Sequence, residues 1–464
     1  MIKNTNVFSS KTDKGSPYSE RASETSIVFN VKNFGPISSA EICVGGLTLF
    51  VGENNSGKTY LMQLIYGILQ ALPNISGTKE YMDKPLPNKI DSSNFSIVEN
   101  IINRWLHENK TKLVGSIFNS DISVDSVNIS FKNIASSFSL EELSSVELTN
   151  LKERNKSAFG YTLYVNNMPH SKVMAPEGLT GKVSRYDMFI RLIVRHIITG
   201  MVSRSMDPAL FFPASRSGVL LLYKDVLGKL GSYTIEDMTG NKGVSENPYG
   251  ITAPLYDFMQ FLQTHKVAPS EKSLRKPLVS FINHNLVDGE FGIKNSIISY
   301  RSNSAEQWFP AYLSSSMVNE ISPLIFLLTS IMQYSYIFYD EIETCFHPSK
   351  QIDLARLVVR LVNYGYHMIV STHSDTMAAA INNLIMLSST EHAVETAKSL
   401  GYTSDDLLQV HNAHIYQFSH NESGTEVKEL ECYPELGIGY DFELFYKSSA
   451  RLYKETKAIL GGTQ

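Results

Sequence analysis

The sequence has few cysteines, and they are far apart. Its 464 residues include 3 cysteines, Cys43, Cys345 and Cys432. An odd number at such spacing excludes a disulfide framework, and no C-x-x-C pair is present to hold a metal. We therefore expect a cytoplasmic protein that is not built on disulfides.

The sequence also lacks a strong net charge and a long apolar run. It has 41 basic and 46 acidic residues, so its formal net charge is -5. This balance excludes a protein whose whole surface attracts nucleic acid or anionic lipid, although a local basic groove remains open. The longest apolar stretch, residues 324–332, is far shorter than the roughly 18 residues of a membrane span. We expect no membrane partner, and nucleic-acid binding is left open.

The remaining composition is that of a folded protein. Hydrophobic residues make up 43% of the chain and charged residues 19%. At about 150 residues per domain, the length suggests two or three folded units. Residues 1–25 are rich in Ser, Thr and Lys and lack the apolar segment of a signal peptide, so they are predicted to form a flexible tail.

Short apolar runs alternate with helical patterns along most of the chain. Strands are predicted at residues 27–31, 40–44, 47–51, 210–216, 297–300, 336–339 and 367–370, and helices at residues 61–72, 318–332 and 349–363. This alternation predicts an α/β fold with a largely parallel sheet. A late hairpin within residues 415–430 and a helix at residues 442–460 follow.

The spacing of these elements indicates a core interrupted by two insertions. The first insertion, residues 76–204, mixes helical patterns with alternating strands, and the second, residues 221–294, is predicted to be helical. The predicted plan is a tail at 1–25, a core formed by 26–75 with 205–220 and 295–420, the two insertions, and a C-terminal hairpin and helix at 421–464.

The clearest motif lies between a predicted strand and a predicted helix. Residues 52–59 match G-x-x-x-x-G-K-[ST], the pattern of a phosphate-binding loop, and the strand-to-helix context is the one that this motif requires. The two glycines allow the backbone to approach phosphates, and the helix N-terminus directs N–H groups at them. We expect Lys58 to neutralise the β- and γ-phosphates and Thr59 to bind Mg²⁺. The predicted nucleotide-binding residues are Gly52, Asn54, Asn55, Ser56, Gly57, Lys58 and Thr59.

Three further candidates follow predicted strands. Asp340 and Glu341 come directly after an apolar strand, where a carboxylate pair suits a metal site and a base for water. Paired acids at a strand end are often only solvated caps, and the phosphate loop is what favours function here. We predict Asp340 as a second Mg²⁺ ligand and Glu341 as the catalytic base. His373 ends the next strand and is a candidate donor to a γ-phosphate.

Other polar positions leave two interpretations open. Ser315 and Ser316 precede a long apolar helix, where they are either an ordinary N-cap, which the sequence alone favours, or a phosphate-binding helix start. Arg216, in the segment Pro-Ala-Ser-Arg, is either a solvated loop arginine or a residue of the core. His347, next to Pro348, is expected only to begin a helix.

Together these segments resemble the ABC-type ATPase heads of the RecF, SMC and OLD group. The likeness is greatest to the stand-alone AAA-family ATPases, OLD-like but without a TOPRIM domain, of prokaryotic anti-phage defence systems. Residues 51–59 resemble Walker A, residues 336–341 Walker B, and residues 371–375 a switch-histidine loop. Residues 313–323 resemble the degenerate signature helix of this group, and residues 213–218 resemble its P-A-x-R segment. Glu343 and His347 resemble the acidic residue and the His-Pro pair that follow Walker B in this family.

This resemblance implies a P-loop, ABC-ATPase-like head with a mixed sheet and mostly helical insertions. It implies ATP and Mg²⁺ as cofactors, a homodimer or higher homo-oligomer, and ATP sites to which Ser315 or Ser316 of another subunit contributes. It also implies control of a separate effector protein, a nuclease or a toxin. Met317 stands where the signature usually has glycine, and no Q-loop glutamine can be placed.

Three alternatives stay open at this point. A DNA-repair ATPase of the RecF or SMC kind would need a basic surface beside the site. A nuclease of the OLD type would need a TOPRIM domain, yet no D-x-D follows His373. A scaffold that binds nucleotide with negligible turnover would lack phosphate release. We expect that the chain does not itself cut nucleic acid.

Overall fold

In the computed structural model, the described residues are 25–82, 85–142, 157–176, 185–200, 206–239, 250–264, 266, 275–294, 297–422, 424–437 and 439–459. The predicted N-terminal tail, except Thr25, lies outside them. Among the described residues, no helix combines the length and the apolar character needed to cross a membrane.

The strands, in chain order, are β1 Ser26–Phe34, β2 Ile37–Val44, β3 Leu47–Gly52, β4 Lys89–Ile90, β5 Val124–Lys132, β6 Phe138–Glu142, β7 Ser157–Val165, β8 Met168–Pro176, β9 Met206–Phe212, β10 Gly289–Lys294, β11 Ile297–Ser302, β12 Phe309–Pro310, β13 Gln333–Tyr339, β14 His367–Thr372, β15 Ala413–Asn421, β16 Gly424–Glu429, β17 Cys432–Tyr433 and β18 Gly439–Tyr440.

The α-helices are α1 Lys58–Ala71, α2 Ser96–Phe118, α3 Arg185–Thr199, α4 Arg216–Thr239, α5 Ala253–Thr264, α6 Lys276–Phe281, α7 Ser316–Thr329, α8 Pro348–Asn363, α9 Asp375–Ser388, α10 Ala393–Ser399 and α11 Glu443–Ile459. A short π-helix, Ile282–Leu286, continues α6.

One nine-stranded mixed sheet organises the molecule. Its order is β5-β1-β2-β16-β15-β3-β14-β13-β9. The five strands from β15 to β9 are parallel to one another, whereas β16 is antiparallel to β15, and β1 is antiparallel to both β2 and β5. The predicted α/β class, with its mixed sheet and its parallel strands around the phosphate loop, is confirmed.

Apolar cores cover both faces of this sheet. Along β3, Leu49 and Val51 face one core and Phe50 faces the other. β13 alternates in the same way, with Ile337 and Tyr339 on the first side. Because both faces are buried, these strands are continuous apolar runs, as expected for the middle of a parallel sheet.

Segments from outside the predicted core also enter the sheet. β5, from the first predicted insertion, pairs with β1 along its length. The predicted late hairpin is present as β15 and β16, and it inserts between β2 and β3. The rest of the first insertion contains a separate four-stranded sheet of β4, β6, β7 and β8. The proposed domain plan remains a prediction.

Several element bounds differ from the prediction. β9 ends at Phe212, whereas the predicted strand continued to residue 216, where α4 begins. β11 pairs with β10 and β12 in its own three-stranded sheet and not in the main one. α7 ends at Thr329, three residues before the predicted end, because its apolar sequence continues through a short connection into β13.

Candidate nucleotide-binding site

The phosphate loop connects β3 to α1, as the motif predicts. Gly52 has a φ of 148° and Gly57 a φ of 88°, values that side-chain-bearing residues rarely adopt. A Cβ at Gly52 would lie 2.4 Å from the carbonyl oxygen of Phe418, and one at Gly57 would lie 2.9 Å from Cγ of Pro36. The glycines are therefore required both by the backbone conformation and by close packing.

Lys58 is buried within its own loop. Its Nζ donates hydrogen bonds to the carbonyl oxygens of Gly52 at 3.0 Å and Glu53 at 2.7 Å, and to Oγ of Ser56 at 3.2 Å. Burial lowers the pKa of Lys58 from 10.5 to about 8, although nearby carboxylates, Asp340 foremost, oppose that change. The ammonium is thus held beneath the loop by three acceptors.

Thr59 and Asp340 meet at the end of the sheet, although they are distant in sequence. Oγ1 of Thr59 donates to the Asp340 carboxylate at 2.9 Å and 3.1 Å, and Oγ of Ser371 donates to it at 2.6 Å. Burial raises the pKa of Asp340, while the two hydroxyl donors favour its charged form. These contacts hold the carboxylate in one orientation beside the phosphate loop.

The donor set at this point fits Mg²⁺. A hydroxyl and a carboxylate are hard oxygen ligands, and Mg²⁺ in nucleotide sites typically takes one or two protein ligands, with phosphate and water oxygens completing its shell. Within the described residues, no cluster of three or more His, Cys, Asp or Glu side chains could hold a metal. Thr59 and Asp340 are therefore the residues that would bind Mg²⁺, jointly with a nucleotide.

Glu341 occupies a strained turn directly after Asp340. Its φ of 45° lies in the left-handed region, which costs a non-glycine residue about 1–2 kcal/mol. Its backbone N–H donates to Oγ of Ser371 at 2.8 Å, and its side chain is 41% exposed. The carboxylate therefore projects into open space while its backbone is anchored.

His373 lies between Glu341 and the phosphate loop. Its Nδ1 is 3.0 Å from the carbonyl oxygen of Gly52, which can only accept, so Nδ1 carries the hydrogen in this contact. Its Nε2 is 3.6 Å from Oε1 of Glu341. Oε1 of Glu343 accepts from the His373 backbone N–H at 2.6 Å, and Oε2 of Glu343 is buried without a hydrogen-bond partner among the described residues.

These residues surround one cavity of about 710 Å³, the size range of small-molecule sites. The cavity is lined by the predicted loop residues other than Gly52 and by both predicted catalytic side chains. Three further lining residues, Pro36, Tyr60 and Glu343, were not predicted as site residues. The lining consists of Pro36, Asn54, Asn55, Ser56, Gly57, Lys58, Thr59, Tyr60, Glu341, Glu343 and His373. Gly52 and Asp340 lie just behind this lining, in contact with Lys58, His373 and Thr59.

Ser315 and Ser316 are elsewhere in this chain. Ser315 is the N-cap of α7, and its side chain accepts from the backbone N–H of Val318 at 3.4 Å. Both serines are exposed, and neither lines the cavity of its own chain. The N-cap interpretation is confirmed, and a contact with a nucleotide held by another subunit stays a prediction.

Two contributions to the site were not recognised from the sequence. Arg216, which the sequence left open between a solvated loop arginine and a residue of the core, is fully buried and donates to the carbonyl oxygens of Asp340 at 2.6 Å and Glu341 at 3.1 Å. Ser371 bridges the Asp340 carboxylate and the Glu341 backbone. For Arg216 the signals were the apolar strand before it and its Pro-Ala-Ser-Arg segment. Ser371 lies in the segment that resembles a switch-histidine loop, but no role was predicted for it. His347 begins α8 as its N-cap, as predicted.

Comparison with known proteins agrees with the loop geometry. Residues 28–175 match the sequence profile of the AAA ATPase domain family. The matched segment contains the phosphate loop but ends before Asp340, Glu341 and His373, and it covers about a third of the chain. Sequence and geometry together support a nucleotide-binding ATPase. No curated protein sequence matches significantly.

Distant structural similarity is found to heads of SMC proteins. A structure described as the SmcHead bound to the C-winged helix domain of ScpA has a TM-score of 0.37 and 11% identity, and it covers 89% of this chain and 99% of its own. The SMC head domain from Thermotoga maritima has a TM-score of 0.33 and 11% identity, with 88% and 100% covered. The Pyrococcus furiosus Smc head domain, with an extended coiled coil and bound to the C-terminal domain of ScpA, has a TM-score of 0.35 and 10% identity, with 93% and 100% covered.

Proposed function

We propose that this protein binds ATP with Mg²⁺ and hydrolyses it slowly. The observation that supports this most strongly is the contact of Thr59 with Asp340, beside Lys58 and facing the same cavity as Glu341. Here a metal position, a phosphate counter-charge and a carboxylate base lie next to one another. Mg²⁺ would supply charge neutralisation at the phosphates.

The residues of the chain divide the work of hydrolysis. The loop N–H groups and Lys58 bind and orient the phosphates. Glu341 accepts a hydrogen bond from a water and takes up its proton as the water oxygen bonds to the γ-phosphorus and the bond from that phosphorus to the departing ADP oxygen breaks. Nδ1 of His373 keeps the ring fixed on the carbonyl oxygen of Gly52, and Nε2 is the ring atom that contacts the terminal phosphate.

Two variants test this function. Lys58→Ala should abolish ATP binding because it removes the phosphate counter-charge. Glu341→Gln should retain ATP but lose turnover by roughly 10²–10⁴-fold, the usual contribution of general-base catalysis. Binding is measured by calorimetry and turnover by phosphate release, with the exposed Glu426→Gln on β16 as the matched control. Equal turnover for wild type and Glu341→Gln would contradict the assignment of the base.

At the level of biology, we propose a cytoplasmic sensor or scaffold subunit of a prokaryotic anti-phage defence system, in which nucleotide-gated assembly controls a separate nuclease or toxin. Motif resemblance alone supports this step. The purified protein with ATP and Mg²⁺ should leave plasmid, single-stranded DNA and tRNA intact. Cleavage that follows the chain through purification and is lost on an acidic substitution outside the nucleotide site would contradict a separate effector. ATP turnover stimulated by DNA would instead favour an ATPase of the RecF or SMC kind.

A further inference from the structure

A buried ion pair connects the turn at Glu341 to helix α7. Nε of Arg216 lies 2.7 Å from Oε2 of Glu320, with side-chain exposures of 0% and 3%. The two atoms are close but not aligned for a hydrogen bond, so the contact is purely ionic. Neither side chain lines the nucleotide cavity.

The guanidinium of Arg216 uses its remaining donors on backbone carbonyls. One terminal nitrogen donates to Pro213 at 2.9 Å and to Asp340 at 2.6 Å, and the other donates to Glu341 at 3.1 Å. The same group stacks 4.5 Å from the ring centre of Tyr339. Arg216 thus contacts three consecutive residues, 339 to 341, at the end of β13.

Glu320 fixes the other end of this connection. Its Oε1 accepts from the backbone N–H and the hydroxyl of Ser217, and its backbone carbonyl accepts from the hydroxyl of Tyr339 at 3.2 Å. Glu320 lies in the second turn of α7, the helix that Ser315 caps. The beginning of α7 and the end of β13 are therefore joined through fully buried groups.

The packing of the core does not by itself require the Arg216–Glu320 ion pair. Replacing a buried ion pair by apolar side chains of similar size is commonly neutral or stabilising, so the pair is not needed to fill the core. The Arg216 donors end instead on the carbonyls that flank the strained peptide of Glu341. A carbonyl that is held in place fixes the direction of the following peptide, and hence of the Glu341 side chain.

We propose that the Arg216–Glu320 pair is a positioning device that holds the Glu341 turn in its left-handed conformation and ties its orientation to helix α7. The proposal rests on the proposed ATPase function. Arg216 and Glu320 are positioning residues and act only through Glu341. A displacement of the α7 N-terminus, for example by a second subunit, would be transmitted to the catalytic base through this pair.

The decisive variant is the double substitution Arg216→Met with Glu320→Leu. It removes the ionic and carbonyl contacts but keeps apolar volume, so we expect the variant to fold. We expect an unchanged affinity for a non-hydrolysable ATP analogue, an unchanged KM, and a kcat lowered by about 10–100-fold through misplacement of the base. Arg216→Lys keeps the positive charge but cannot reach all the acceptors. Its kcat should fall between that of wild type and that of the double variant. A folded double variant with wild-type kcat would show that the pair is only structural and overturn the proposal.

A second measurement does not depend on turnover. Hydrogen exchange of residues 340–345 in the ATP-free protein should become about tenfold faster in the double variant and remain unchanged in α1, because the turn loses its anchor and α1 has no contact with either substituted side chain. Unchanged exchange in residues 340–345 would overturn the proposal. If wild type shows no hydrolysis, the proposed function fails, and exchange still decides whether the pair holds the turn. If the double variant does not fold, the same two measurements on Arg216→Lys decide, and wild-type values for both would overturn the proposal.

Discussion

At the scale of single residues, the glycines of the phosphate loop are the most constrained positions of the site. Gly52 combines a φ of 148° with the carbonyl of Phe418 directly behind it. Both conditions oppose any side chain, and β15 cannot move back without breaking its ladder to β3.

Gly52→Ala should therefore be destabilising and should impair nucleotide binding. The backbone strain alone costs about 1–3 kcal/mol, and the loop must shift to relieve the clash. Gly115→Ala is the matched control, because Gly115 lies inside α2 with nothing within 4 Å of a new Cβ. There alanine should stabilise by about 0.5–1 kcal/mol. Urea unfolding measures the stability of the two variants, and ATP titration measures their nucleotide affinity. Equal effects at the two positions would contradict this account of the loop.

Lys58 predicts the pH dependence of nucleotide binding. Its pKa is lowered to about 8, so the free protein carries the charged form at neutral pH and loses it as the pH rises through 8. Because phosphates bind the ammonium form, affinity should be level below pH 7.5 and fall by up to about tenfold per pH unit well above pH 8.

Titration with a non-hydrolysable ATP analogue from pH 6.5 to 9.5 measures this profile. Lys58→Arg is the control, since its guanidinium stays charged over the whole range and should give a level profile. A level profile for wild type would mean that the Lys58 proton is not linked to binding. The lowered pKa of Lys58 also affects folding stability. Burial of the ammonium opposes folding at neutral pH, and the free energy of unfolding should rise as the pH increases from about 8 towards 10.5, where the folded protein has lost this proton and the unfolded chain still carries it.

At the scale of elements, the late hairpin is part of the main sheet. β15 supplies Phe418 behind Gly52, and His420 is 3.3 Å from the carbonyl oxygen of Asn54, so this hairpin supports the loop from behind. By contrast, residues 450–459 of α11 are all exposed. Two truncations should consequently behave very differently.

Removal of residues 450–464 should leave the melting temperature within a few degrees of wild type, because the described part of that segment buries nothing. Removal of residues 413–464 should prevent folding, because it opens the sheet between β2 and β3 and deletes the buried Ile415, Tyr416 and Phe418. Circular dichroism and soluble yield measure both. A folded protein that ends at residue 412 would contradict the proposed role of the hairpin.

At the scale of the whole molecule, the exposed N-terminus of α7 is the surface that oligomerisation should use. Ser315 and Ser316 lie outside their own chain's cavity, so a phosphate contact requires a second copy. We expect the Glu341→Gln variant to form a dimer or larger assembly with ATP and Mg²⁺. Adding Ser316→Arg to this variant should prevent assembly, because the larger side chain blocks the start of α7.

Light scattering after size exclusion measures the mass in each nucleotide state. Mixing Lys58→Ala with Ser316→Arg should restore at most one composite site per heterodimer. Full ATPase activity of Ser316→Arg, or a monomer under every nucleotide condition, would contradict the shared site.

Local sequence was enough to predict the strand-loop-helix around residues 52–59. A glycine pattern, a following lysine and threonine, and apolar periodicity are local signals, and their roles depend on only a few turns of chain. The same holds for Asp340 and Glu341, which directly end an apolar strand. These predictions could be made from residues that are neighbours in the sequence.

Only the tertiary structure decided which distant segments of the chain are in contact. Arg216 and Asp340 are separated by 124 positions, and no spacing pattern signals their contact. Thr59 and Asp340 are separated by 281 positions, and their proximity was expected only because both motifs were predicted to bind one Mg²⁺. Burial of Arg216 follows from the parallel pairing of β9 with β13, which places the first turn of α4 beside the end of β13. The sequence determined which groups could bind a nucleotide, and the order of strands in the sheet decided which of them meet, because parallel strands bring their carboxyl ends to one edge whatever their distance along the chain.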